Sequence, residues 1–213
     1  QRVAVVTGAS SGIGLETAKA LAAQGFQIIA IGRNPERCKQ AETAINSVSR
    51  NGQVTMLVAD LALLSQAAGA AETIAKLVDR VDVLVNNAGG MAGKMVMTTE
   101  GYEESFAANH LGPFVLTNRL VPLMQKTAAD AKPGSVRIIN TASDGSEMIP
   151  TLNLDDMQNL DNYSNGLAYC SGKLANVLFA KALAKRLKGD DIVAHSVHPG
   201  TIATNFFSHT EPM

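Results

Sequence analysis

The chain is 213 residues long, close to the size of one domain and long enough to bury a core. Its 18 Lys and Arg against 19 Asp and Glu leave a formal charge of -1, without the positive excess that holding a nucleic-acid backbone requires. With 46% hydrophobic and only 17% charged residues the composition argues against disorder, and two cysteines, Cys38 and Cys170, make neither a disulfide framework nor a metal-ligand spacing.

The cysteine usage predicts a reducing compartment and no structural zinc. The longest apolar run, residues 26–31, falls far short of the ~20 residues that span a bilayer. Residues 1–6 carry no charged-then-apolar leader pattern. What is shown reads as soluble: cytoplasmic, or held at a membrane through a segment outside the chain shown.

Short β-branched runs alternate with longer helical patterns, the sign of βαβ units around a parallel sheet. A first strand is predicted over residues 3–7. Ile13, Ala18, Leu21 and Ala22 then recur at helical spacing up to Gly25, a helix stop. After a second strand over 27–31, Asn34 and Pro35 read as the cap and first turn of the next helix. A strand over 54–58 leads to a helix over 65–77. The Val/Leu run over 81–85, broken only by Asp82, suits a strand covered on both faces. One long helix is predicted over 103–123 and a fifth strand over 136–141. Residues 144–165, with Gly145, Pro150 and many Asn and Asp, resist regular assignment and read as an ordered loop over the sheet's carboxyl edge. A helix over 166–187, with Leu174, Leu178 and a Lys-rich end before Gly189, and a strand over 192–197 complete the set. The prediction is a single domain over 1–213, a doubly wound parallel α/β sheet with helices on both faces and its ligands at the carboxyl edge.

Thr7, Gly8, Ala9, Ser10, Ser11, Gly12, Ile13 and Gly14 spell TGxxxGxG between the first strand and the first helix. A turn without Cβ atoms lets backbone amides reach a pyrophosphate, and the helix N-terminus adds favourable partial charge. The second half of a dinucleotide fingerprint lies ~20 residues on, where an acid takes the ribose 2′-OH of NAD. Here the sequence has Arg33, followed by Asn34, with no acid before Glu36. A guanidinium pairs a 2′-phosphate through two hydrogen bonds, so the reading is NADP(H); an ordinary solvated Arg is the alternative. Asp60, with Leu61 beside it, is placed to accept from an adenine amino group or else to cap a helix. Asn86, Asn87, Ala88 and Gly89 end the fourth strand, where small residues let the cofactor lie close to the backbone.

Tyr169 and Lys173 are four apart on a strongly helical stretch and share a face. A phenol with a pKa near 10 exchanges its proton poorly at neutral pH, and a neighbouring ammonium is expected to lower it. Of the three tyrosines only Tyr169 has Lys at this spacing. Ser143 ends the fifth strand, where its hydroxyl can hold a carbonyl oxygen for Tyr169; Ser146 is the second choice, and a turn-forming Ser the plain reading. Asn109 lies inside the long helix, where its poor propensity needs a reason unless it faces solvent. Met91, Met95 and Met97 offer a soft wall for an apolar substrate, or ordinary loop packing. His195 and His198, three apart in a strand, point to opposite faces and make no ligand pair.

TGASSGIG over 7–14, NNAG over 86–89, Asn109, Ser143, the YxxxK pair and Pro199 with Gly200 together resemble the short-chain dehydrogenases/reductases over essentially the whole chain. ANHLGPF, LAYCSGKLANVLFAKALAKRL and HSVHPGTIATNF are similar to the branch that holds retinol dehydrogenases, WW-domain oxidoreductases and light-dependent protochlorophyllide reductases. The resemblance implies a Rossmann-type fold and a tetrad of Asn109, Ser143, Tyr169 and Lys173. Tyr169 would be the acid/base, Ser143 the substrate orienter, Lys173 the holder of the nicotinamide ribose and Asn109 a link to a water relay. Pro199, Gly200 and Thr204 would flank the nicotinamide. The implied activity is hydride transfer between NADP(H) and a carbonyl or alcohol group of an apolar small molecule. A dinucleotide-binding regulator without turnover is the alternative, against which the intact tetrad speaks. Family members continue past the Pro-Gly pair into another strand and a lid, so further residues or a partner subunit are expected to supply that cover. A homo-oligomer is compatible with all of this. The interval from Ser143 to Tyr169 is long, as it tends to be in the retinol-dehydrogenase-like branch.

Overall fold

The computed structural model describes residues 1–50 and 52–200. Six strands, β1 (Val3–Thr7), β2 (Gln27–Gly32), β3 (Val54–Val58), β4 (Val83–Asn86), β5 (Val136–Thr141) and β6 (Ile192–Val197), form one parallel sheet in the order β3-β2-β1-β4-β5-β6. Between them run α1 (Gly12–Ala23), α2 (Pro35–Asn46), α3 (Leu64–Leu77), α4 (Glu104–Phe106), α5 (Gly112–Ala129) and α6 (Asn165–Arg186). This is the doubly wound arrangement expected. The strand order reverses at β1, which lies between β2 and β4, and such a reversal opens a crevice outside the carboxyl ends of the strands.

Because successive strand residues point to opposite faces, the same strands feed two cores. Val3, Val5, Ile29, Ile31 and Leu84 pack with Leu116, Leu120, Ile138 and Phe179 on one face. Ala4, Val6, Ile28, Ala30 and Val85 pack with Ala18, Ala22 and Ile45 on the other. In β5 and β6 the alternation is one-sided: Val136, Ile138, Ile192 and Ala194 are buried, whereas Arg137, His195 and Val197 are exposed. Helices α1 and α2 thus cover only part of their face, and over β5 and β6 it holds half-buried Ile139, Thr141 and Val193 beside the exposed residues.

The start of β4 and the continuity of the long helix differ from the sequence expectation, whereas the loop over 144–165 is found where it was expected. β4 begins at Val83 rather than at residue 81, because Asp82 spends its carboxylate on the Val3 amide (2.8 Å) and on Arg80 (2.6 Å), so the ladder starts at Ala4 against Val83. The long helix predicted over 103–123 is interrupted: α4 passes through a π-helical turn, Ala107–Leu111, into α5, which runs on to Ala129. Residues 144–165 hold a 3-10 turn, Asp144–Glu147, and then no regular structure until the Ser164 hydroxyl accepts from the Leu167 amide and opens α6. No helix among the described residues is long and apolar enough to cross a membrane.

Candidate active site

The glycine turn is lashed to the end of β4 at the point where the strand order reverses. The Thr7 hydroxyl accepts from the Asn87 and Ala88 amides, both at 2.9 Å, and Asn87 Nδ2 donates to the Thr7 carbonyl at 3.0 Å. A Cβ on Gly14 would overlap the Gly8 carbonyl and lie 2.5 Å from Asn87 Nδ2, so only glycine lets α1 start this close beneath the turn. Ser10, Ser11 and Ile13 are half-buried and Gly12 is exposed. Helix α1 opens with no side-chain cap and no acid in its first turn, unlike α2, whose Asn34 Oδ1 accepts from the Arg37 amide at 2.9 Å. The positive end of α1 therefore meets the crevice without a capping side chain.

Around the predicted adenosine contacts the side chains divide. Arg33 is exposed just past β2, its guanidinium 3.8 Å from Glu104, while the Asn34 side chain is spent on the cap. Asp60 caps no helix: the cap position of α3 is Leu63, and Asp60 Oδ1 accepts from the Ala62 amide at 3.0 Å. Leu61 lies in the core, its carbonyl pressed against Gly112. Ala88 packs at the edge of the same core. Gly89 has φ of +149°, and a Cβ there would overlap Asn109 Oδ1.

The structure brings Ser143, Tyr169 and Lys173 together. Lys173 is 4% exposed, and its Nζ donates to the Thr141 carbonyl at 3.2 Å and lies 5.5 Å from the centre of the Tyr169 ring. Burial alone pulls its ammonium down to about 8. The expected lowering of the Tyr169 phenol does not appear: burial raises it, a hydrogen bond with Ser143 partly opposes this, and the charges of Cys170 and Asp144 add to the rise. Ser143 Oγ donates to Asp144 Oδ1 at 2.8 Å and accepts from the Gly145 amide at 3.1 Å. That Ser143 bond is the first cause holding the Asp144 carboxyl below its ordinary value. Ser146 only closes the 3-10 turn, through its amide onto the Ser143 carbonyl. His195 is exposed on β6, whereas His198 lies past the strand and its Nδ1 accepts from the Asp144 amide at 3.3 Å.

Asn109 does not face solvent; it is fully buried in the π-helical turn. Its Oδ1 accepts from the Gly90 amide (3.2 Å), and its Nδ2 donates to the carbonyls of Gly90 (2.7 Å) and Ser105 (2.8 Å). Its own carbonyl accepts from Asn176 Nδ2 at 2.9 Å.

Several neighbours escaped the sequence reading. Asn176, a poor helix former inside α6, carried a signal in its position three past Lys173. Glu103 is fully buried: Oε1 accepts from the Ser105 amide (3.0 Å) and the Tyr163 hydroxyl (3.2 Å), and Oε2 from the Phe106 amide (2.6 Å). Burial first and Glu103 second push the Tyr163 phenol up to about 12, so it stays a donor that ties the irregular loop to α4. Met91 is half-buried, while Met95, Met97, Met148 and Leu154 are exposed on the segments that follow β4 and β5. Pro199 lines a groove of about 470 Å³ with Ile13, Val85, Asn87 and Thr141. Gly200 is the last described residue, and Thr204 lies outside the described residues.

A model of the short chain dehydrogenase family matches residues 2–213. The chain is 37% identical over 212 residues to mouse retinol dehydrogenase 11, covering 100% of itself and 65% of that protein. It is 37% identical over 210 residues to human retinol dehydrogenase 13, covering 98% of itself and 61% of that protein. Among solved structures, the Pseudomonas aeruginosa RhlG/NADP active-site complex superposes with a TM-score of 0.78 at 28% identity, over 98% of this chain and 75% of that one. The chain thus spans a little under two thirds of the length of the two retinol dehydrogenases.

Proposed function

The chain belongs to the short chain dehydrogenase family, oxidoreductases that here resemble retinol dehydrogenases, and on that premise we propose that it moves a hydride between NADP(H) and a carbonyl or alcohol group of an apolar small molecule. The observation that carries the reading is Tyr169 and Lys173 one turn apart on α6, with Ser143 hydrogen-bonded to the phenol at the carboxyl edge of the sheet.

The residues present fit a dinucleotide. The close approach at Gly14 and the uncapped start of α1 leave amides and a positive helix end for a pyrophosphate. Ser10, Ser11, Gly12 and Ile13 would supply the turn around it. Arg33 is exposed with one distant partner, Glu104, which a doubly charged 2′-phosphate would displace. Asp60, Leu61, Asn87, Ala88 and Gly89 would flank the adenosine and ribose through backbone atoms more than side chains, since the side chains of Asn87, Asp60 and Leu61 are already engaged. When bound, the nicotinamide supplies or takes the hydride.

The chain's own residues manage the proton. Burial keeps the Tyr169 phenol protonated at neutral pH, so it donates to a carbonyl oxygen as the hydride reaches the carbonyl carbon, and an alcohol results. Ser143 holds the same oxygen by turning its hydroxyl from Asp144 to the substrate. Lys173, aimed by the Thr141 carbonyl, stabilises the phenolate left behind, an interaction strengthened by exclusion of water. Asn109 holds the segment after β4 through Gly90. The exposed Met95, Met97, Met148 and Leu154 favour an apolar substrate. The likeness to retinol dehydrogenases supports the substrate class, and that to the RhlG/NADP complex supports the nucleotide.

The test is turnover of the purified protein with NADPH or NADH across apolar aldehydes, ketones and quinones. Turnover that prefers NADPH is expected. No turnover with either nucleotide contradicts the activity, and equal use of both contradicts the nucleotide choice.

A further inference from the structure

We propose that Asn176 is a positioning residue for this reaction, one amide that registers the π-helical turn, the end of β5 and α6 against each other and so sets where Lys173 reaches. The proposal rests on the oxidoreductase reading above. Asn176 is 3% exposed. Its Nδ2 donates to the Asn109 carbonyl at 2.9 Å and reaches the Thr141 carbonyl at 3.5 Å, the same oxygen that accepts from Lys173 Nζ at 3.2 Å. Its Oδ1 lies 3.1 Å from His110 Nδ1.

The donors and acceptors admit one polarity. Both neighbours of Nδ2 are carbonyls and need a donor, so Oδ1 must face the imidazole, and His110 must carry its proton on Nδ1. The ring is buried among Phe106, Phe114 and Phe179, which disfavours the imidazolium and leaves a neutral donor. In a regular α-helix the Asn109 carbonyl would accept from residue 113, but that residue is Pro113 and has no N–H, so the carbonyl is left without a helical donor and Asn176 takes it up. The Thr141 carbonyl, with two lone pairs and two donors, is held from both Lys173 and Asn176. Without the amide, the Asn109 carbonyl and the His110 N–H lose a buried partner, and the acceptor that aims Lys173 loses one of its two donors. Small misplacements of a reacting group are costly to rate.

Two measurements test this. Nitrogen NMR of the nucleotide-free wild-type protein should show His110 neutral and protonated on Nδ1, and the Lys173 ε-methylene resonance should move in Asn176→Leu. A ring protonated on Nε2, or an unmoved Lys173 resonance, overturns the proposal whether or not the protein reduces any carbonyl. That separates its failure from failure of the oxidoreductase reading. In the active protein, Asn176→Leu and Asn176→Asp should each lower turnover per nucleotide-binding site by roughly tenfold or more. The primary isotope effect from C4-deuterated NADPH should rise, because the chemical step is slowed. The carboxylate variant is expected to fail as well, since it still accepts from His110 but donates to neither carbonyl. If either variant loses binding sites or thermal stability while turnover per site and the isotope effect stay at wild-type values, Asn176 is merely structural and the proposal falls.

Discussion

Lys173 is held where it is at a cost to the fold, and Lys173→Met should expose that cost. The buried ammonium titrates at about 8 instead of its ordinary 10.5, a gap that corresponds to roughly 3 kcal/mol. At neutral pH both folded and unfolded chains carry the proton, so the folded state bears the whole penalty. Between the two values the unfolded chain binds more protons than the folded one, so wild-type stability rises with pH through that window. Methionine has a similar unbranched stem and no charge, and its substitution loses one hydrogen bond to Thr141 worth about 1 kcal/mol. The variant should therefore be more stable than wild type by on the order of 2 kcal/mol at neutral pH. The advantage should shrink to nothing as pH approaches the ordinary lysine value, while catalytic turnover is lost. Urea unfolding of both nucleotide-free proteins at neutral and at alkaline pH measures it. A variant less stable at neutral pH, or an advantage that does not change with pH, would refute the reasoning that burial without a counter-charge governs this lysine.

Tyr169→Phe should cut turnover by roughly 10² to 10⁴-fold while nucleotide binding, followed by fluorescence titration, is preserved; near-normal activity would make the phenol a packing group. Arg33→Asp should weaken NADPH by roughly ten- to a hundredfold and leave NADH unchanged or improved, because a charge-assisted pair to the 2′-phosphate is removed. Unchanged NADPH affinity in that variant counts against Arg33. Glu103→Gln places an amide N–H₂ against the backbone amide of either Ser105 or Phe106, both obligate donors, and should cost about 1–3 kcal/mol in urea unfolding. An undiminished midpoint would show that the buried carboxylate is not what clamps the loop to α4.

The sheet was legible because each strand is a short β-branched run bounded by glycine, asparagine or a cap, and local pattern suffices for such segments. The start of β4 was misplaced because Asp82 is claimed by Val3 and Arg80, contacts that no run of hydrophobicity reveals. Likewise a π-helical turn leaves no signature in the pattern of apolar residues, so residues 103–123 read as one helix, and whether Asn109 faces solvent stayed open until its partners were seen. Tyr169, Lys173 and Ser143 could be picked out because a reactive pair at helical spacing and a hydroxyl at a strand end are local features. Glu103 with Tyr163, Asn176 with Asn109 and His110, and Arg33 with Glu104 are partners from distant parts of the chain, joined only by the fold. The direction of the Tyr169 shift was misjudged for the same reason: one helix turn places the ammonium nearby, but the depth of burial comes from the tertiary structure.

Transfer of deuterium from NADPH labelled at both C4 positions shows whether Tyr169, Lys173 and Ser143 serve hydride reduction of a carbonyl. Single-turnover mixtures of the purified protein with apolar aldehydes and ketones, analysed by mass spectrometry, should yield an alcohol carrying one deuterium on the former carbonyl carbon, and that product should be lost in Tyr169→Phe. NADPH that binds tightly yet passes no label to any member of the panel would instead identify a nucleotide-binding regulator, and label transfer undiminished in Tyr169→Phe would remove the phenol from the chemistry.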